Sequence, residues 1–255
     1  MSDYKNKKLI AFDVDGTLSE SRSKIDTEMA GILQELLNNK RVAIISGGAF
    51  ADITNQVLNQ LNLSAEQKNN LILLPTNGSG LWSFNDKWTE IISHKLTLEE
   101  KNKIIKALTE VDQANEELKN NVSYGREIQD RDSEITYAAL GEHAPLSLKE
   151  AWDPNFKKRI ALQKTLEEKL PEFEIKIGGK TSIDITPKGM DKAYGIKKLM
   201  EYFKYNKDDI LFFGDAVYEN GNDYPVFLMG VDTVKVIGPE ETKERLIRLL
   251  KNDTI

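Results

Sequence analysis

Asp13 and Asp15 stand two residues apart in the segment Phe12-Asp13-Val14-Asp15-Gly16-Thr17, directly after the apolar run Leu9-Ile10-Ala11-Phe12. A short unbroken apolar run reads as a buried strand of a parallel sheet, ending here at Asp13. If period-two geometry continues past the strand, it turns both carboxylates the same way. Gly16 permits a sharp turn of the backbone, and Thr17 can cap or donate locally. Two carboxylates at one site can divide labour: one attacks phosphorus, and the other moves a proton to or from the departing or arriving oxygen. A carboxylate pair facing a phosphate needs a cation, for which Mg²⁺ with oxygen ligands is suited. Taken alone, an Asp-rich turn after a strand is also a common structural feature.

Other segments place suitable groups at the same kind of position. Asp215 follows Leu211-Phe212-Phe213-Gly214, and Asn222 and Asp223 come shortly after. Ser46-Gly47-Gly48 ends the apolar run at residues 42–45, offering a hydroxyl and backbone N–H groups to a phosphoryl oxygen. Lys192 opens a helical stretch. A lysine there opposes the helix dipole, so an anionic partner is one reason for it and a solvated surface position is the other.

The elements that must position these groups alternate. Helical spacing covers residues 27–37 and 50–61, and buried-strand runs lie at residues 9–12, 42–45 and 71–74. This β-α-β-α-β order indicates a doubly wound parallel sheet, in which ligands bind beyond the carboxyl ends of the strands. Residues 80–88 read as a hairpin turning at Asn85-Asp86. The middle of the chain changes character, with amphipathic stretches at residues 98–118 and 155–170 and strands at 133–140, 174–177 and 181–185. Alternation resumes with a helix at 192–202, strands at 210–213, 226–229 and 233–237, and a helix at 240–250. The expected architecture is an α/β, Rossmann-like core from residues 1–89 and 187–255, with an α+β cap inserted at 90–186.

Composition narrows the function classes. The 255-residue chain carries a net charge of -6 and is 40% hydrophobic and 30% charged. An acidic balance argues against a nucleic-acid footprint, yet a small phosphorylated substrate needs only a local positive pocket. With no cysteine and two histidines, thiolate chemistry and His-rich metal centres are excluded, leaving a hard, oxygen-bound cation. No stretch approaches a membrane span, and the expected compartment is the cytoplasm. Trp82, Trp88 and Trp152 read as packing residues before sugar platforms. Lys157-Lys158-Arg159 reads as a solvated face, and Arg131 as half of a surface ion pair.

Asp13-Val14-Asp15-Gly16-Thr17, Ser46, Lys192, and Gly214-Asp215 with Asn222-Asp223 resemble the four ordered motifs of the haloacid dehalogenase superfamily. FDVDGTLSESRSKID, GGKTSIDITPKGMDKAYG and FFGDAVYENGND further resemble the eukaryotic-type phosphomannomutases, whose inserted cap is of type IIB. The resemblance implies that Asp13 is the phosphorylated nucleophile and Asp15 the general acid/base, with Ser46 and Lys192 holding the transferring group. It implies Mg²⁺ held by Asp13, Asp15 through its backbone carbonyl, Asp215 and Asp223. It also implies substrate contacts from Arg22, Gly47, Arg131, Ser182 and Asp184, and allows a homodimer through the cap. Glu142 falls where those mutases carry an arginine for a second phosphate, and the third such position falls near Lys149. A carboxylate there repels a phosphate, and Ser46 resembles the phosphatase form of the second motif more than the mutase form. Hydrolysis of a sugar phosphate is therefore the first expectation, phosphomannomutase the second, and a non-catalytic sugar-phosphate binder the third.

Overall fold

A computed structural model describes residues 4, 6–115, 118 and 121–251. The chain divides into two compact units, residues 1–93 with 190–255, and residues 94–189.

The first unit is built on a seven-stranded sheet, β11-β10-β1-β2-β3-β4-β5. Its strands are β1 (Leu9–Phe12), β2 (Arg41–Ile45), β3 (Leu71–Leu74), β4 (Gly80–Asn85), β5 (Lys87–Ser93), β10 (Ile210–Gly214) and β11 (Asp232–Lys235). The strands from β11 to β3 are parallel, and the β4–β5 hairpin adds an antiparallel edge. β1, β3 and β10 are buried along their whole length, which is why they appear in the sequence as continuous apolar runs. β1 lies between β2 and β10, with Phe12 beside Ile44 and Phe213 in register. The carboxyl ends of β1, β2 and β10 therefore share one edge.

Helices α1 (Thr27–Leu36), α2 (Phe50–Gln56), α3 (Ala65–Asn69), α7 (Lys192–Phe203), α8 (Tyr224–Leu228) and α9 (Pro239–Leu250) accompany this sheet. Two sets of buried side chains form its core, one around Ile10, Phe12 and Leu33, the other around Leu9, Ala11 and Leu199. They correspond to alternate residues of β1, so each face of the sheet has its own apolar layer. Asp26 caps α1 by accepting from the Met29 N–H at 2.8 Å. Asp191 caps α7 by accepting from the Tyr194 N–H at 2.9 Å, which makes Lys192 the first helical residue.

Several expectations need correction. The helical pattern at 50–61 breaks at Val57, where φ is -121°, and continues as a 3₁₀ turn, Leu58–Gln60. The Gln56 carbonyl accepts from the Ile25 N–H instead of extending the helix. The run at 226–229 is helical, not extended. Pro225 in the first turn of α8 supplies the φ a helix start needs, and so short an apolar run fits either structure. Helix α3 was not anticipated, although Ser64 and Gln67 form the reciprocal cap that announces it.

The second unit has an antiparallel sheet, β6-β7-β9-β8. Its strands are β6 (Ile128–Asp130), β7 (Ile135–Ala138), β8 (Phe173–Ile177) and β9 (Ser182–Pro187), and its helices are α4 (Leu98–Ala114), α5 (Leu146–Trp152) and α6 (Lys157–Lys169). Ile104, Leu108, Leu162 and Leu166 of the helices pack on Ile135, Tyr137, Ile175, Ile183 and Ile185. The cross-strand register puts Gln129, Thr136, Asp184 and Lys176 together on the opposite, polar face. Strand β6 and helix α5 were not anticipated, and positions 116 and 117 of the amphipathic stretch at 98–118 lie outside the described residues.

Arg159 is not part of a solvated face. It is 2% exposed, pairs with Asp153 at 2.9 Å and donates to the Gly179 carbonyl. Trp82 stacks on Phe50 at 4.1 Å, Trp88 meets Phe84 edge-on at 5.6 Å, and Trp152 packs against the second core. All three tryptophans are packing residues.

Candidate active site

At the shared edge of the first sheet, Asp13 leaves β1, Ser46 leaves β2, and Asp215 follows β10. Lys192 enters from the start of α7, where a side chain at the first helical position leans back over the preceding residues. The seat of α7 depends on two glycines. Gly78 has φ +85°, and a Cβ on it would overlap the Gly195 Cα. Only glycine at both positions lets the turn after β3 touch the helix backbone.

The Lys192 ammonium is fully buried and bridges two carboxylates, Asp13 Oδ1 at 2.7 Å and Asp223 Oδ1 at 2.6 Å. Asp223 Oδ2 accepts from the Ala216 N–H at 3.0 Å. Asp13 is 4% exposed. Burial pushes its carboxyl up to about 6, with Lys192 opposing the rise and Asp223 adding to it. Attraction to the two carboxylates raises the Lys192 pKa against the opposing effect of burial. Lys192 is therefore no surface lysine; it is the counter-charge that keeps two buried carboxylates tolerable.

Asp13, Asp215 and Asp223 each offer an oxygen, and these oxygens lie within 4.8 Å of one another. Burial, then Asp223, raises the Asp215 pKa. Three carboxylates against one ammonium leave two uncompensated negative charges at a largely buried site. An all-oxygen donor set of this charge fits a hard divalent cation such as Mg²⁺. Gly16, at φ +80°, closes the site from the Asp15 side. A Cβ there would stand 2.5 Å from Asp215 Oδ2.

Asp15 has a different environment from Asp13. Its Oδ1 accepts from the Arg22 backbone N–H at 2.5 Å and from Gln56 Nε2 at 3.0 Å. Its carboxylate is not one of the three clustered oxygens. Ser46 is 3% exposed, and its Oγ accepts from the Gly48 N–H at 3.0 Å. The Ser46 carbonyl accepts from Asn77 N–H at 2.8 Å. The structure thus brings Asp13, Lys192, Asp215 and Asp223 into one cluster, and leaves the Arg22 side chain exposed beside Asp15. Gln56 and Asn77 were missed. Gln56 announces itself as a polar residue on the apolar side of α2, and Asn77 as the left-handed residue of an Asn-Gly turn at φ 55°.

In the second unit, Arg131 closes the β6–β7 turn. Its Nη1 donates to Glu134 Oε1 at 3.2 Å and its Nη2 to Gln129 Oε1 at 3.2 Å. Asp184 Oδ1 accepts from the Thr136 hydroxyl at 2.9 Å. Ser182 and Asp184 lie on one face of β9, and a Cβ on Gly178 would collide with both side chains. Glu142 accepts from Arg126 Nε at 3.0 Å and Nη2 at 3.3 Å, and its carbonyl accepts from Lys149 at 3.0 Å.

The chain is similar to phosphomannomutases. It is 27% identical to that of Encephalitozoon cuniculi (strain GB-M1) over 96% of this chain and 94% of that one. It is 29% identical to that of Spinacia oleracea over 92% of each. Among solved structures, a haloacid dehalogenase-like hydrolase from Bacteroides thetaiotaomicron superposes with a TM-score of 0.68 at 16% identity, covering 95% of this chain and 99% of that one. An IMP-bound IMP-nucleotidase mutant from Plasmodium falciparum superposes with a TM-score of 0.64 at 18% identity, covering 99% and 69%. These two likenesses concern the fold. The sequence profile of the haloacid dehalogenase-like hydrolases matches residues 10–229; the chain is an enzyme and belongs to that family.

Proposed function

We propose that this enzyme transfers the phosphoryl group of a hexose phosphate through an aspartyl-phosphate on Asp13, in the manner of a phosphomannomutase. The observation that carries the chemistry is the buried Lys192 bridge between Asp13 and Asp223 at the strand edge. It holds a carboxylate ready for attack and supplies a cation beside the position a transferring phosphoryl group would take. The mutase outcome rests on the whole-length relatives, which carry that name. This reverses the order in which the sequence alone ranks the two outcomes.

An oxygen of Asp13 attacks phosphorus while the bond from phosphorus to the sugar oxygen breaks. Asp15, held by Arg22 N–H and Gln56, gives its proton to the departing oxygen. In the mutase reading a second sugar hydroxyl then attacks phosphorus, returns its proton to Asp15 and frees Asp13. Bound at Asp13, Asp215 and Asp223, Mg²⁺ would neutralise charge on the phosphoryl oxygens. Ser46 and the Gly47 backbone serve those oxygens, and residues 90–186 act as the cap, with Arg131, Ser182 and Asp184 on the substrate.

A second reading, phosphatase, is favoured by the Arg126–Glu142 pair. The carboxylate occupies an arginine that could otherwise meet a second phosphate. Water then takes the place of the sugar hydroxyl in the second step. The test is incubation with mannose 1-phosphate, Mg²⁺ and a catalytic amount of hexose bisphosphate. Mannose 6-phosphate formation that a chelator abolishes supports the mutase; release of inorganic phosphate alone supports the second reading; no turnover of either kind refutes both.

A further inference from the structure

Glu134 is 6% exposed and has no part in the chemistry above. Its Oε1 accepts from Arg131 Nη1 at 3.2 Å and lies 3.0 Å from the Thr136 hydroxyl. That same hydroxyl lies 2.9 Å from Asp184 Oδ1. A hydroxyl carries one proton, so Thr136 can donate to only one of the two carboxyls. The other short oxygen–oxygen contact is a hydrogen bond only when Glu134 or Asp184 carries a proton. Two carboxyls bridged in this way share a proton, as like charges at close quarters do.

The surroundings place that proton on the Glu134 side. Burial and then Asp184 push its carboxyl up to about 7, against the pull of Arg131. The remaining charged groups have other partners. Asp130 and Asp132 of the turn pair with Lys101 and Lys95. On β8, Lys176 stands opposite Asp184 in register and pairs with Glu174 at 3.2 Å. Among the described residues, Arg131 is the charged group that pairs with Glu134. While Glu134 is protonated the guanidinium keeps its full positive charge and its hydrogen-bonded position; once Glu134 ionises, that charge is cancelled and two carboxylates face each other across Thr136.

We propose that Glu134 is a positioning residue that aims Arg131 and governs its charge, so that this face grips an anionic sugar phosphate only while Glu134 and Asp184 share a proton. The inference rests on the reading of the chain as a sugar-phosphate enzyme. Glu134→Gln is the matched variant. Its amide keeps the shape of the acid and its oxygen can still accept from Arg131, but it cannot ionise.

The experiment measures KM and kcat for mannose 1-phosphate in both proteins between pH 6 and pH 8, and titrates the ¹³C carboxyl signals of glutamate-labelled protein. The Glu134 signal is assigned by its loss in Glu134→Gln. Wild-type KM is expected to rise about tenfold over that range, the span for one group titrating near 7. In Glu134→Gln it should stay near the low-pH value, apart from the change due to the substrate's own ionisation, which both proteins share. The assigned signal should titrate near neutrality. Parallel KM profiles, or a KM raised at every pH in Glu134→Gln, would overturn the proposal, as would an ordinary acidic titration of Glu134. A neutral titration without any turnover would overturn the functional reading and the substrate half of this one, leaving the shared proton standing.

Discussion

Replacing Asp13 with asparagine should abolish turnover and, at neutral pH, make the protein more stable. The carboxyl is raised from 3.8 to about 6, so the fold prefers it neutral even beside Lys192. A raised carboxyl binds protons more tightly in the folded chain than in the unfolded one. Its contribution is fully present below pH 3.8 and is lost as pH rises through 6. A shift of that size corresponds to about 3 kcal/mol of lost stability at pH 7.5, and roughly half of that at pH 5. The asparagine amide has the same shape as the carboxyl and no charge to bury. Urea unfolding with a chelator present, at pH 5 and pH 7.5, should therefore show Asp13→Asn more stable than wild type by a margin that roughly doubles between the two. Equal margins at the two pH values, or a wild type more stable at pH 7.5, would refute the account of Asp13 as a charge held against its surroundings. Residual turnover of an aryl phosphate at the wild-type rate would refute its role as nucleophile.

Arg159→Met leaves Asp153 buried without its partner and should cost about 3–5 kcal/mol, read from the unfolding transition of the second unit by Trp152 fluorescence; a loss under about 1 kcal/mol would contradict the buried pairing. Gly78→Ala combines left-handed strain with overlap on Gly195, for an expected loss of about 2–5 kcal/mol and a fall in kcat as α7 and Lys192 shift; unchanged melting would show that the two backbones can part freely. Glu142→Gln releases Arg126 from its ion pair and should tighten binding of a hexose bisphosphate by roughly threefold or more while leaving monophosphate binding nearly constant; no change would remove Arg126 from consideration as a phosphate ligand.

The strand-end residues were readable because buried parallel strands are written as unbroken apolar runs, and a run of that kind ends where the site begins. Asp13, Ser46 and Asp215 each follow one. Lys192 stood out because its charge opposes its place in the helix, and the structure supplies the anions that explain it. The residues that escaped notice answer to partners far along the chain. Gln56 reaches Asp15 across 41 positions, and Thr136 reaches Asp184 across 48. Arg159 was misread for the opposite reason: two neighbouring lysines made a basic run look uniform, while the third member turned inward to Asp153. The 226–229 segment shows the limit of periodicity, since a short apolar run beside a proline carries no period of its own.

The position of β1 in its sheet also dictates an order of assembly. One neighbour, β2, is made soon after it, but the other, β10, begins at Ile210, after the whole second unit. Until Ile210 to Gly214 has been synthesised, one edge of β1 has no partner, and before Met190 emerges, Asp13 has no Lys192. The second unit, continuous in sequence, can close its core while the first is still open. Pairing across so long a separation is slow and leaves an apolar strand edge exposed meanwhile. A chain halted after residue 189 would therefore hold a finished insert, an unfinished sheet and no catalytic cluster, and would be a ready substrate for chaperones.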